Sequence, residues 1–119
     1  MIINPCPKVA IMSIHLPGAV SIFFDVSNGG DSSGLRHILA ADAVAHDEGR
    51  SHEGCQAVQA WLQEARRKYQ YHVAPMAVQS QDERVTVATK VSGNFPGSPL
   101  QLEYVFRMAG DLIQSVEIR

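Results

Sequence analysis

At Tyr69 the hydrophobic period of the chain changes. Before it, Val58, Trp61, Leu62 and Ala65 in "CQAVQAWLQEARRKY" recur three and four apart, the face of a helix. After it the period drops to two. "LQLEYVFRM" places Leu100, Leu102, Tyr104, Phe106 and Met108 on one face and Gln101, Glu103, Val105 and Arg107 on the other. "VTVATKVSG" alternates likewise, and "DER" (82–84), "NFPGSP" (94–99) and "AGD" (109–111) supply turns. "YQYHVAPMAVQS" is a further strand in which Pro75 predicts a bulge or an edge position. "LIQSVEIR" is the last. Upstream, Pro17 opens a helix with Val20, Phe23, Phe24 and Ser27 on one face, closed by "NGGD". "DSSGLRHIL" supplies an N-cap and a short second helix, "DAVAHDEG" reads as a strand, and "SHEG" turns into the long helix. Helix, helix, strand, helix and four hairpin-linked strands give an α+β domain over residues 16–119. Its sheet should curl around about three helices into a cone, and a concave apolar pocket of that kind is the default ligand site. Pro5 and Pro7 make residues 1–15 an irregular arm.

Composition removes several classes of function. The 119 residues suit one domain, and 45% hydrophobic with 18% charged residues is a globular balance. Net charge is −2, and the densest basic stretch, "ARRKY", lies on the long helix, so nucleic acid is not an expected partner. No run reaches membrane-spanning length and no leader pattern is present, so a cytoplasmic protein without a membrane partner is expected. Cys6 and Cys55 do not make a disulfide framework, and both read as reduced thiols.

The densest cluster of chemistry is "AHDEGRSHEG" at 45–54. On a strand, Ala43, Ala45 and Asp47 share one face while Val44, His46 and Glu48 share the other. Two small alanines beside a carboxylate leave space inside a cone, and a partly desolvated Asp47 acquires the pKa of a general base. The alternative is that Asp47 caps the turn or pairs with Arg50. His46 and His52 straddle the turn at Gly49 without the i, i+4 spacing of a helical metal site, so no metal is expected. Tyr104 sits centrally in the apolar face of its strand, where its hydroxyl needs a partner, either a water or a ligand oxygen. Phe23, Ala45, Trp61, Phe95, Phe106 and Met108 are the expected ligand wall, with plain core packing as the alternative for Phe23, Trp61 and Met108. Phe95, in a turn held by Gly93, Gly97 and two prolines, either covers the pocket mouth or packs on a partner subunit.

The order of elements, together with "NGGD", "DAVAHDEG", the following G-x-x-A-V-x-x-W and "VSGNFPGSPLQLEYVFRMAGDLI", resembles the SnoaL-like branch of the nuclear transport factor 2-like superfamily. The resemblance runs from about Leu16 to Arg119. It implies the cystatin-like conical α+β barrel, with a curved antiparallel or mixed sheet around the helices. The superfamily includes ketosteroid isomerases, polyketide cyclases, dehydratases and binding modules, so it implies a fold more sharply than a function. Against the isomerase pattern the segment Val20–Asp47 runs without gaps. Asp47 falls where those enzymes keep the Asp that shuttles a proton, Phe23 where they keep a Tyr of the oxyanion hole, and Tyr104 where they keep a protonated acid as second donor.

The expectation is therefore a pocket for a small apolar molecule, isomerase- or cyclase-like, with Asp47 as base, Tyr104 as oxyanion donor and no cofactor. A non-catalytic carrier and a dimeric association module of the same fold are the alternatives. A homodimer is expected to form through the convex face carrying Gln101, Glu103, Val105 and Arg107.

Overall fold

The computed structural model describes residues 16–119, and the arm expected over residues 1–15 lies outside them. Pro17 leads into helix α1 (Gly18–Ser27), whose first turn is closed by Ser21 N–H donating to the Pro17 carbonyl at 2.9 Å. The helix buries Ala19, Val20, Phe23, Phe24, Val26 and Ser27. It ends because Asn28, Gly29 and Gly30 fold back on the last turn. A Cβ at Gly30 would stand 2.8 Å from the Asp25 carbonyl oxygen, so only glycine fits that reversal. Asp31 then caps a 3-10 helix (Ser32–His37) by accepting from Ser33 N–H at 3.0 Å.

Strand β1 (Leu39–Asp47) returns through Glu48 and Gly49, both at positive φ, into β2 (Arg50–Glu53). Two such residues make the tight turn whose twist matches a hairpin. The expected turn "SHEG" is thus mostly strand. β2 is a polar edge strand, and its lack of apolar alternation hides it in the sequence. Helix α2 (Cys55–Tyr69) follows and closes with Gln70 in the left-handed region. Strands β3 (His72–Gln81), β4 (Arg84–Ser92), β5 (Leu100–Ala109) and β6 (Leu112–Ile118) complete one six-stranded sheet in the order β2-β1-β6-β5-β4-β3. Among the described strands only the β1–β6 pair is parallel. Register shifts at Leu39/Val44, Pro75/Ala77 and Arg107/Met108 bend the sheet, and Pro75 occupies both a bulge and an edge strand. The conical α+β architecture is the one the alternation predicts.

The narrow part of the cone is filled by aromatic rings. Phe23 meets Phe106 edge-on at 5.3 Å between centroids, Phe24 lies 5.1 Å from Tyr104 and 5.7 Å from Phe106, and Tyr104 and Phe106 stack at 6.2 Å. Such pairs add roughly 0.5–1.5 kcal/mol each beyond the area they bury. On the convex face Gln101, Glu103 and Arg107 are exposed, but Val105 is only 6% exposed, opposite Thr86 and Glu117 on its neighbours. That face is more polar than an alternating strand implies, since its one branched apolar residue is already covered within the chain.

Asn28 joins α1 to the sheet. Its amide nitrogen donates to the Val73 carbonyl at 2.9 Å and its oxygen accepts from Val73 N–H at 2.7 Å, so a side chain imitates a strand neighbour on the edge strand. Asn28→Ala leaves both Val73 groups without that partner, and a loss of about 2 kcal/mol in urea unfolding is expected. A loss below about 0.5 kcal/mol, ordinary for a surface change, would show that the clamp carries no weight.

Candidate active site

Strand alternation turns Ala43, Ala45 and Asp47 inward. Ala43 and Ala45 are 1% and 0% exposed and belong to the packed core, whereas Asp47, at the strand end, is half-buried. From there the concave face opens into a cavity of about 500 Å3. Trp61 and Ala65 of α2, Leu102 and Tyr104 of β5, Ile118 of β6 and Phe95 of the β4–β5 loop are among its walls. Phe95 is placed by its edge-on contact with Tyr69 at 6.0 Å and by Asn94 N–H donating to the Tyr69 carbonyl at 2.7 Å. Glu48 and Arg119, both exposed, bring the charged groups at the rim.

Among the described residues one side chain holds Asp47. Trp61 Nε1–H donates to its Oδ2 at 3.3 Å, and the His52 ring stacks on the Trp61 indole at 5.8 Å with 24° between planes. His52 stands opposite Ala45 in the hairpin and His46 opposite Ser51, with His46 Nδ1 3.0 Å from Ser51 Oγ. Neighbouring positions on a strand face opposite sides, so the two histidines diverge. Among the described residues no cluster of three His, Cys, Asp or Glu side chains could hold a metal ion. Arg50 is opposite Asp47 in register, yet among the described residues Asp47 makes no ion pair. Burial therefore dominates and pushes the Asp47 carboxyl above the ordinary Asp value, helped by the nearby Glu48 charge; the Trp61 hydrogen bond and the His52 charge oppose it without cancelling it.

Tyr104 is 4% exposed, and its hydroxyl makes no hydrogen bond among the described residues. Burial, then the neighbouring Tyr71 and Asp47 charges, push its pKa far above the usual phenol range, so it remains a donor at neutral pH. A desolvated carboxylate that can take a proton and a buried phenol that can give a hydrogen bond thus line one apolar cavity.

Of the expected site residues, Asp47, Tyr104, Trp61 and Phe95 meet at this cavity. Phe23, Ala45 and Phe106 do not: each is 0% exposed and forms part of the solid core. Met108 shares the inner face of β5 but borders a separate depression beside Pro17 and Asp82 at the other end of the cone. Four strand residues span roughly 13 Å, which carries Met108 out of reach of a site at Tyr104. Alternation finds the face and says nothing about height along it. Tyr71, Tyr69, Ala65, Leu102, Ile118 and Arg119 complete the wall without being marked as such by the sequence pattern. For Tyr71 a signal existed, since it alternates with buried Val73, but Gln70 in the left-handed region resets the phase between helix and strand.

The model of the SnoaL-like domain matches residues 20–115. The chain belongs to the SnoaL-like family. A solved polyketide cyclase candidate from Sinorhizobium meliloti is 36% identical, with 87% of this chain and 95% of that one covered and a TM-score of 0.84. A protein with a ketosteroid isomerase-like fold from Catenulispora acidiphila, solved with trimethylamine, is 20% identical over 88% of this chain and 86% of that one, at a TM-score of 0.76. A SnoaL-like polyketide cyclase candidate from Jannaschia is 15% identical over 85% and 81%, at 0.71. The latter two speak for the fold alone. No curated protein matches the chain. Among the described residues of this SnoaL-like domain, no helix is long and apolar enough to cross a membrane.

The geometry sets the titration of Asp47. Carboxyl 13C shifts should give a pKa above the roughly 3.9 of a free Asp. Trp61→Phe keeps most of the ring but removes a donor to the ionised form, so it should raise that pKa further. A value at or below about 3.9 in the unsubstituted protein would mean that burial does not govern the carboxylate.

Proposed function

We propose that this SnoaL-like domain binds a small apolar ketone or enone and moves a proton at the carbon next to its carbonyl. The observation that carries the reading is that Asp47, desolvated, and the Tyr104 hydroxyl share the wall of one cavity, the first without an ion pair and the second without a hydrogen bond among the described residues. Asp47 takes the α-proton as a carboxylate and becomes the acid. The C–H electron pair moves into the enolate, and Tyr104 donates a hydrogen bond to the oxygen as its charge grows. Asp47 then returns the proton at another carbon, as in an isomerase, or the enolate carbon attacks an electrophile in the same molecule, as in a cyclase. Positioned acid/base catalysis supplies about 10²–10⁴-fold and an oxyanion donor about 10²–10³-fold. A base must be ionised to act, so the rate should rise with pH through the elevated pKa of Asp47 and level off above it.

A non-catalytic carrier is the second reading, favoured by Phe23. Its ring is sealed in the core, so α1 offers the cavity no hydroxyl at the position where the isomerases keep a donor.

The two readings part on turnover. With a β,γ-unsaturated ketone, growth of conjugated-enone absorbance is expected for the protein. Asp47→Asn should lose at least about 10²-fold and Tyr104→Phe up to about 10²-fold, with melting curves confirming that both are folded. Ligand binding with no turnover across a panel of cyclic and open-chain enones would leave the carrier.

A further inference from the structure

We propose that Tyr71 is a second hydrogen-bond donor to the substrate oxygen, supplying from the α2–β3 junction the hydroxyl that α1 lacks at Phe23. This inference rests on the proton-transfer reading above and extends it to a residue with no role there. Tyr71 lies between the cap residue Gln70 and the start of β3. It is 9% exposed and lines the same cavity as Asp47 and Tyr104.

Its placement is unusually constrained. Arg66 Nη1 donates to the Tyr71 carbonyl and, at 3.0 Å, to the carbonyl of Ser27 at the end of α1. The same guanidinium lies 5.8 Å over the Tyr71 ring. Gly93 presses on the other side: a Cβ there would stand 2.8 Å from Tyr71 Cα and 2.9 Å from its Cβ. Two residues on, Val73 is fixed by the Asn28 amide. A phenol gripped by a helix, a neighbouring strand end and a cation is a rigid donor, as a group that must meet developing charge has to be.

Ser27, which neighbours the phenol, gives its own hydroxyl proton to the Phe23 carbonyl at 2.9 Å. Burial first, and then the Asp47 charge, hold the Tyr71 phenol above its ordinary pKa, against the pull of Arg66 and Ser27. Tyr71 in turn raises Tyr104, and Asp47 raises both, so the three groups sense one another across the cavity. Each phenol keeps its proton while the carboxylate works. The substrate oxygen would then lie toward Tyr71 and Tyr104 and its α-carbon toward Asp47.

The test uses 2-naphthol, whose ionised form imitates an enolate and is read by its fluorescence, and naphthalene as its apolar counterpart. Both are titrated into Asp47→Asn, whose neutral amide stands for the carboxyl after it has taken a proton. Naphtholate should bind, and adding Tyr71→Phe should weaken it about 10- to 100-fold, as loss of a hydrogen bond to a charged group does. Naphthalene affinity should change less than about twofold, since burial is unaltered. If Tyr104→Phe weakens naphtholate and Tyr71→Phe does not, the inference is overturned while the proton-transfer reading stands. If Asp47→Asn takes naphthol only as the neutral form, whatever the phenols, both fall. Because Tyr71→Phe also removes a buried hydroxyl, a second arm places 3-fluorotyrosine at position 71. Its 19F signal should move with naphtholate and not with naphthalene, and equal movement with both would refute a donor role.

Discussion

The aromatic wedge of Phe23, Phe24, Tyr104 and Phe106 decides where the cone is solid and where it is hollow. A curved sheet closing on one helix must fill its narrow end, because interiors pack to the density of organic crystals. Two rings from α1 and two from β5 do so, with Phe23 and Phe106 fully buried. The cavity begins where the wedge stops. Tyr104 stands on that boundary, its ring in the wedge and its residue on the cavity wall. A smaller residue at Phe106 would let the hollow run into the core, and a bulkier one at Leu102 would fill it. The wedge also separates the site from the depression at Met108.

Against that wall, Asp47 is a local cost that the fold sustains. A structural aspartate in this position would be expected to pair with Arg50, its register partner. Instead its oxygen accepts from Trp61, a neutral donor, while burial opposes its charge. The surroundings are built to hold the indole rather than to neutralise the carboxylate: His52 stacks on Trp61 from the hairpin, and α2 packs along β1. Sites that break a local rule of stability without compensation are where function concentrates. Arg66, on the same helix as Trp61, ties the end of α1 to Tyr71 just before β3.

Much of this fold can be read from the sequence because period two and period 3.6 impose different faces, and the strands after Tyr69 carry little else. What escapes is what periodicity does not encode. β2 is hidden because Arg50, Ser51, His52 and Glu53 are all polar, and the turn that creates it depends on positive φ at Glu48 as well as at Gly49. Within the site, the inward side of β1 and β5 follows from alternation, so Asp47 and Tyr104 could be named. Their height does not follow: packing takes Ala45 and Phe106 off the wall, and position along β5 takes Met108 to the other end of the cone. Tyr71 is hidden because its position depends on how one cap residue joins a helix to a strand.

Asp47 is central to this account, and its thermodynamic sign can be measured without any substrate. The free energy of unfolding is compared for the protein and for Asp47→Asn between about pH 3 and pH 8. Below the unfolded pKa, roughly 3.9, the carboxyl is protonated in both states and the two proteins should be nearly equal in stability. As pH rises, the unfolded chain releases the proton first and the folded chain, with its elevated pKa, releases it later. The folded state binds more protons across that window, so the protein should lose stability relative to Asp47→Asn, and the gap should level off above the folded pKa. A protein that instead gains on Asp47→Asn as pH rises would show that the carboxylate stabilises the fold, and the proposed base would be a structural aspartate.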